Sequence, residues 1–106
     1  MKKGDIILIS FPFTDMTSTK FRPAVVLAEN VYDVTVCFIT SQVNLIESTD
    51  VLIQPNTQNG LRKVSLIKAN KLATIDKKLA KGLLGKLLSE EIDHLNKNLK
   101  LFLQMP

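Results

Sequence analysis

Asp33-Val34-Thr35-Val36-Cys37-Phe38-Ile39 sets Val34, Val36 and Phe38 against Thr35, Cys37 and Ile39, the two-residue period of a β-strand. Cys37, lone in the chain and inside this run, reads as a small buried hydrophobe. Working outward, residues 5–10 form a β-branched run ended by Phe11-Pro12, and residues 22–28 form another after a polar, loop-like stretch at 14–20. Downstream, residues 51–54 read as a short strand closed by Pro55-Asn56-Thr57-Gln58-Asn59-Gly60, whose Asn-Gly pair favours positive φ. Residues 65–72 give a fifth strand, 74–81 a short helical turn and 83–88 a last strand. Strands spaced about 10–15 residues apart, with few helical patterns between them, predict a mainly β fold: a small closed or part-open barrel.

The period changes after Leu88. Ser89 is placed to cap a helix, and Glu90 and Glu91 follow in the first turn, where the helix dipole favours acids. Ile92, Leu95, Leu99 and Phe102 then recur at spacings of three and four, one apolar helical stripe. His94 lies off that stripe and reads as exposed.

The 106 residues predict a single domain spanning 1–106. With 45% hydrophobic and 23% charged residues, the composition is that of a globular chain. One Cys and one His exclude a four-ligand zinc site built from those residues and an internal disulfide framework. Met1-Lys2-Lys3 resembles the start of a signal peptide, but Asp5 precedes the apolar run and Pro12 interrupts it. The expectation is therefore a soluble, cytoplasmic protein.

Charge is unevenly distributed. Arg62, Lys63, Lys68, Lys71, Lys77, Lys78, Lys81 and Lys86 face Asp76 alone within residues 61–86, so this block carries +7 against +4 for the whole chain. Such a block is either a solvated lysine-rich face or a footprint for a polyanion, of which nucleic acid is the commonest in a cytoplasm. There is no phosphate-cradling glycine loop, no Gly-x-Ser-x-Gly elbow and no carboxylate cluster at metal-ligand spacing. Arginine, lysine and hydroxyls remain. That set suits phosphodiester chemistry, since RNA brings its own 2′-hydroxyl nucleophile and an arginine can stabilise the charge that builds at phosphorus.

Gly4-Asp5-Ile6-Ile7-Leu8-Ile9-Ser10-Phe11-Pro12-Phe13-Thr14-Asp15, followed by Lys20-Phe21-Arg22-Pro23-Ala24-Val25-Val26-Leu27, closely resembles the opening of PemK/MazF-like toxins. Phe38-Ile39-Thr40-Ser41, the segment from Ser65 through Asp76-Lys77-Lys78, and Gly85 through Ile92 are similar to later parts of the same family in the same order. The resemblance implies a part-open SH3-like β-barrel with short helices and a C-terminal helix. It also implies a homodimer and a metal-independent endoribonuclease that needs no cofactor. Such an enzyme cuts single-stranded RNA at short sequences, leaving 2′,3′-cyclic phosphate and 5′-hydroxyl ends, and is blocked by the flexible tail of a cognate antitoxin.

Two positions match the family's catalytic pair: Arg22, to stabilise the phosphorane and assist proton transfer, and Thr40, to hold the scissile phosphate. Lys20, Ser41, Lys68 and Asn70 are the expected RNA contacts. Structural readings stay open beside these, an ion pair for Arg22, a strand or turn cap for Thr40 and turn chemistry for Ser41. Lys68 and Asn70 stand where some members carry Arg and Asp. Lysine lacks the bidentate fork, and an amide cannot act as a base. Two other functions fit the same fold: a barrel that binds RNA or an antitoxin without turnover, and a CcdB-like poison of DNA gyrase.

Overall fold

Continuous apolar runs, rather than strict in–out alternation, shape this sheet. In the computed structural model, which describes the backbone of residues 1–12 and 19–106 and the side chains of 1–10 and 20–106, six antiparallel strands form one sheet. The strands are β1 (Asp5–Pro12), β2 (Thr19–Glu29), β3 (Asp33–Thr40), β4 (Asp50–Ile53), β5 (Ser65–Asp76) and β6 (Ala80–Lys86). Their order is β4-β5-β3-β2-β1-β6, with helix α1 (Ser89–Leu103) at the C-terminus. The sheet does not close, since β4 and β6 remain its two edges. Most of the polar stretch at 14–20 lies outside the described residues, and Thr19 and Lys20 already belong to β2.

Both faces of the sheet are buried. Ile6, Val25, Cys37, Ile39, Ile67 and Leu95 join one apolar cluster, against which Ile92 and Leu99 of α1 also pack. Ile7, Ile9, Ala24, Val26, Val34 and Val36 form a second, flanked by Ile75, Leu79 and Ala80. Neighbouring residues of one strand thus serve opposite clusters, as a pleated strand requires. Cys37 is buried as expected, and burial pushes its thiol up to about 12. Among the described residues, no helix is long and apolar enough to cross a membrane.

β5 is the strand that shapes the molecule. Its pairing with β3 jumps from Cys37↔Leu72 to Phe38↔Lys68, so residues 69–71 bulge out of the ladder. A bulge of this kind bends the strand and strengthens its twist. The N-terminal part of β5 can then pair with both β3 and the short β4.

The turn expected over 74–81 is largely strand. Thr74 and Ile75 are β-branched and pair with Thr35 and Val34, and the Thr35 and Thr74 hydroxyls meet at 2.7 Å. Only Lys77–Leu79 is helical, a 3₁₀ turn whose entry is capped by Asp76 accepting from the Lys78 N–H at 2.8 Å.

The helix start also shifts by one residue. Leu88 occupies the cap position, and its backbone N–H donates to Glu91 Oε1 at 2.7 Å, so the acid rather than Ser89 satisfies the entry. Leu95 is buried, but Phe102 is 43% exposed, in a last turn of α1 whose Leu101 and Leu103 are exposed as well. His94 is exposed, as expected.

Candidate nucleic-acid interface

The site is built where three segments distant in sequence converge. β2 contributes Lys20, Phe21 and Arg22, the end of β3 brings Thr40, Ser41 and Gln42, and the β4–β5 connection at 54–64 brings Arg62 and Lys63. Together they line an open cleft of about 390 Å³. A second cleft of about 310 Å³ adjoins it, lined by Asn44, Leu45, Phe38, Lys68 and Lys71. Arg22, Thr40 and Gln42 line both clefts. The pair expected from sequence is therefore brought together on the wall between two cavities.

Several features of this wall suit an anion. Among the described residues, Lys20, Arg22, Arg62, Lys63 and Lys71 form no ion pair, and no carboxylate or imidazole lines either cleft. Arg22 is exposed, so its guanidinium is not spent on an internal salt bridge with any described residue. Thr40 Oγ1 accepts the Gln42 N–H at 3.1 Å, which ties the turn and leaves the hydroxyl proton for another acceptor. Ser41 is exposed on the same wall. Phe21 is 54% exposed there, a flat apolar surface on which a base can stack.

The connection carrying Arg62 and Lys63 is held by an asparagine knot. Asn59 is fully buried; its Oδ1 accepts from the backbones of Asn56 and Leu61, and its amide donates to the Gln54 carbonyl at 2.8 Å. Asn56 Oδ1 in turn accepts from the backbones of Gln58 and Asn59, each at 2.8 Å. Gly60 takes the positive φ that the Asn-Gly pair suggested, at +69°. The knot then presses on β6: the Lys86 N–H donates to the Gln58 carbonyl at 2.8 Å, and a Cβ on Gly85 would collide with that carbonyl oxygen. Sequence reasoning saw only a turn here. The Asn-x-x-Asn-Gly spacing was the available signal.

Lys68 and Asn70 are placed otherwise than expected. Lys68 borders the second cleft but is only 7% exposed, and its ammonium lies 2.6 Å from Glu47 Oε1 and 2.8 Å from the Asp50 carboxylate. Burial opposes its charge, yet the hydrogen bonds and fields of Asp50 and Glu47 prevail and hold the ammonium above its usual range. Glu47 is held below the ordinary carboxylate value by its hydrogen bond from Lys68 and by the Asn70 amide. Asn70 Nδ2 lies 3.3 Å from each Glu47 oxygen, while its Oδ1 is buried and unpartnered among the described residues. Lys68 is neutralised from within. Within the +7 block, Arg62, Lys63 and Lys71 border the clefts with no ion pair among the described residues, Lys68 borders the second cleft but is buried against two carboxylates, and Lys77 pairs with Glu29 at 3.0 Å.

No three His, Cys, Asp or Glu side chains gather among the described residues as a metal centre would need. The open six-stranded antiparallel sheet with its C-terminal helix is a MazF-like fold. Residues 2–103 match the PemK-like, MazF-like toxins of type II toxin-antitoxin systems, and the chain belongs to that family.

Solved structures agree on the fold. Mycobacterium tuberculosis toxin MazF-mt6 superposes with a TM-score of 0.77 at 23% identity, covering 96% of this chain and 98% of that one. A mycobacterial endoribonuclease in complex with its cognate antitoxin gives a TM-score of 0.80 at 18% identity, covering 100% and 97%. The MazE–MazF structure from Deinococcus radiodurans gives 0.77 at 18%, again covering 100% and 97%. No protein with a curated description matches the chain.

Proposed function

We propose that this toxin is a sequence-specific, metal-independent endoribonuclease acting on single-stranded RNA. The observation that carries the reading is the joint position of Arg22 and Thr40 on the wall between two clefts bordered by Lys20, Arg62, Lys63 and Lys71, none of which is ion-paired among the described residues. A phosphodiester laid across that wall meets the Arg22 guanidinium and the Thr40 hydroxyl, with the flanking nucleotides directed one into each cleft. The 2′-hydroxyl gives up its proton to water as its oxygen bonds to phosphorus and the bond to the 5′-oxygen breaks, giving a 2′,3′-cyclic phosphate, and the leaving oxygen takes a proton from water to become the 5′-hydroxyl. Arg22 stabilises the doubly charged phosphorane with a planar fork of N–H donors, and the Thr40 hydroxyl donates a hydrogen bond to a phosphoryl oxygen. With no side-chain base on either cleft wall among the described residues, alignment and electrostatics carry the rate.

Lys20 and Ser41 border the same wall and serve as backbone contacts, joined by Arg62 and Lys63. In this reading the protein works as a homodimer. A cognate antitoxin closes the cleft with an acidic flexible segment that orders on binding.

Arg22→Ala tests the assignment. The variant should cleave RNA at least ~10²-fold more slowly, the scale of losing one transition-state donor. It should melt within a degree or two of the parent, because an exposed side chain is removed. Parent activity should persist in excess EDTA, and its products should carry cyclic phosphate ends. Parent-like cleavage by the variant would refute the role of Arg22. Binding of RNA with no cyclic-phosphate product would favour a binding module instead.

A further inference from the structure

The segment 41–49 between β3 and β4 borders the second cleft through Gln42, Asn44 and Leu45, and it is anchored from beneath. Lys68 reaches from the buried part of β5 to Glu47 within the segment at 2.6 Å and to Asp50 at its end at 2.8 Å. The Glu47 N–H donates to Asp50 Oδ2 at 2.8 Å, so the Asp50 carboxylate also holds the backbone of the segment. From the other side, Asn98 of α1, itself only 5% exposed, donates to the Thr49 carbonyl at 3.0 Å and to the Asp50 carbonyl at 3.2 Å. The segment is clamped at one end by a buried ammonium and a buried amide. Its other end is tied by the Thr40–Gln42 turn.

A segment held at both ends offers its middle in a fixed conformation. There Asn44 and Leu45 are exposed, Leu45 by 79%, although Leu45 has no core to fill. Together with Gln42 they present two amides, each with donor and acceptor, and one apolar side chain, at the cavity beside Arg22 and Thr40. Amides read the hydrogen-bonding edge of an unpaired base, and an apolar side chain packs on its face. The first cleft is bordered by Lys20, Arg62 and Lys63, which hold phosphates regardless of sequence. Arg22, Thr40 and Gln42 line both cavities and Lys71 borders the second, so the two differ in that Asn44 and Leu45 border only the second and Lys20, Arg62 and Lys63 only the first.

We propose that Gln42, Asn44 and Leu45 form the base-reading subsite on one side of the scissile phosphate, and that Lys68 is the positioning residue that holds this subsite in register. The inference rests on the RNA-cleaving reading above. It makes sequence preference one-sided: nucleotides seated in the 41–49 cleft are specified, and those seated among the cations are tolerated freely. Lys68 meets carboxylates rather than phosphate, so it governs preference without contributing to salt-dependent affinity.

The experiment maps cleavage and binding preferences on a randomised single-stranded RNA pool for the parent, Asn44→Ala, Lys68→Met and Glu47→Gln. Thermal melts and RNA affinity at several salt concentrations accompany each. Asn44→Ala should flatten discrimination at one or two adjacent positions by roughly tenfold, the scale of one amide–base pair. Lys68→Met and Glu47→Gln should flatten the same positions while leaving the salt slope unchanged. If Lys68→Met fails to fold, Glu47→Gln decides, because the Glu47 side chain is 55% exposed. Unchanged preference in folded Lys68→Met and Glu47→Gln would overturn the positioning role, and a salt slope reduced by about one cation in Lys68→Met would show that it contacts phosphate instead. Unchanged preference in Asn44→Ala would overturn the subsite. A parent that binds RNA but does not cut it refutes the enzymatic reading alone, and the binding preferences then decide this inference by the same outcomes.

Discussion

Removing Arg62 and Lys63 together is the sharpest test of the cleft as a phosphate-binding surface. Lys20, Arg22, Arg62 and Lys63 border it without a carboxylate partner among the described residues. If each neutralises one phosphate of a single strand, the four release counterions with a slope of roughly −0.7 apiece, about −2.8 in total. Raising salt from about 50 to about 200 mM should then weaken binding by roughly 50-fold. Losing two of the four halves the slope to about −1.4, and the same salt step should cost only about sevenfold. The assay is fluorescence anisotropy with a short oligonucleotide lacking the 2′-hydroxyl at the cleavage position, so that binding is read without turnover. Both side chains are exposed, so the Arg62→Ala/Lys63→Ala protein should fold normally. An unchanged slope would return both residues to a solvated surface and refute the placement of the strand in this cleft.

Asn59→Ala should destabilise the fold by about 2–3 kcal/mol in urea titrations, because it strands the backbone groups of Asn56, Leu61 and Gln54. RNA affinity should fall with it as Arg62 and Lys63 lose their support; a loss under 1 kcal/mol would refute the knot. Glu29 and Glu47 are both held below their ordinary value of 4.5, by Lys77 and by Lys68 with Asn70 respectively. Their stabilisation is present above that value and is lost as pH falls through the lowered folded values, so melting temperature should drop in acid below about 4.5. Glu29→Gln combined with Glu47→Gln should make that drop shallower, and an identical acid profile would remove both pairs from the account. Sedimentation at micromolar concentration should show a two-fold dimer. A single 11.8 kDa species throughout would refute the dimer and any RNA groove shared between subunits.

Strands and helix were legible because their signals are local. A run such as 33–39 carries its period within itself, and the apolar stripe Ile92-Leu95-Leu99 places α1 against the sheet without knowledge of what it covers. The family's order of motifs pointed to Arg22 and Thr40, and their placement on one wall needs only the antiparallel β2–β3 pairing. Phe102, Ser89 and the 74–81 turn were misread for one reason. Local pattern and propensity cannot tell which turn of a helix tertiary contacts leave exposed, which backbone group an acid three residues on will cap, or that Thr74 has Thr35 across the ladder.

Which cations face solvent was decided only by tertiary structure. In sequence, Lys68 and Lys63 are equivalent members of one basic block. In the fold, Lys68 finds Asp50 and Glu47, 18 and 21 residues away, and is neutralised, while Lys63 comes to rest beside Lys20 and Arg22. Asn98 reaches across 49 residues to the Thr49 carbonyl, and Asn59 is buried to support a loop rather than left in a solvated turn. A side chain's charge is written in the sequence, but its field depends on what stands within a few ångströms and on how much water has been excluded. Both are set by chain segments that meet only when the sheet assembles.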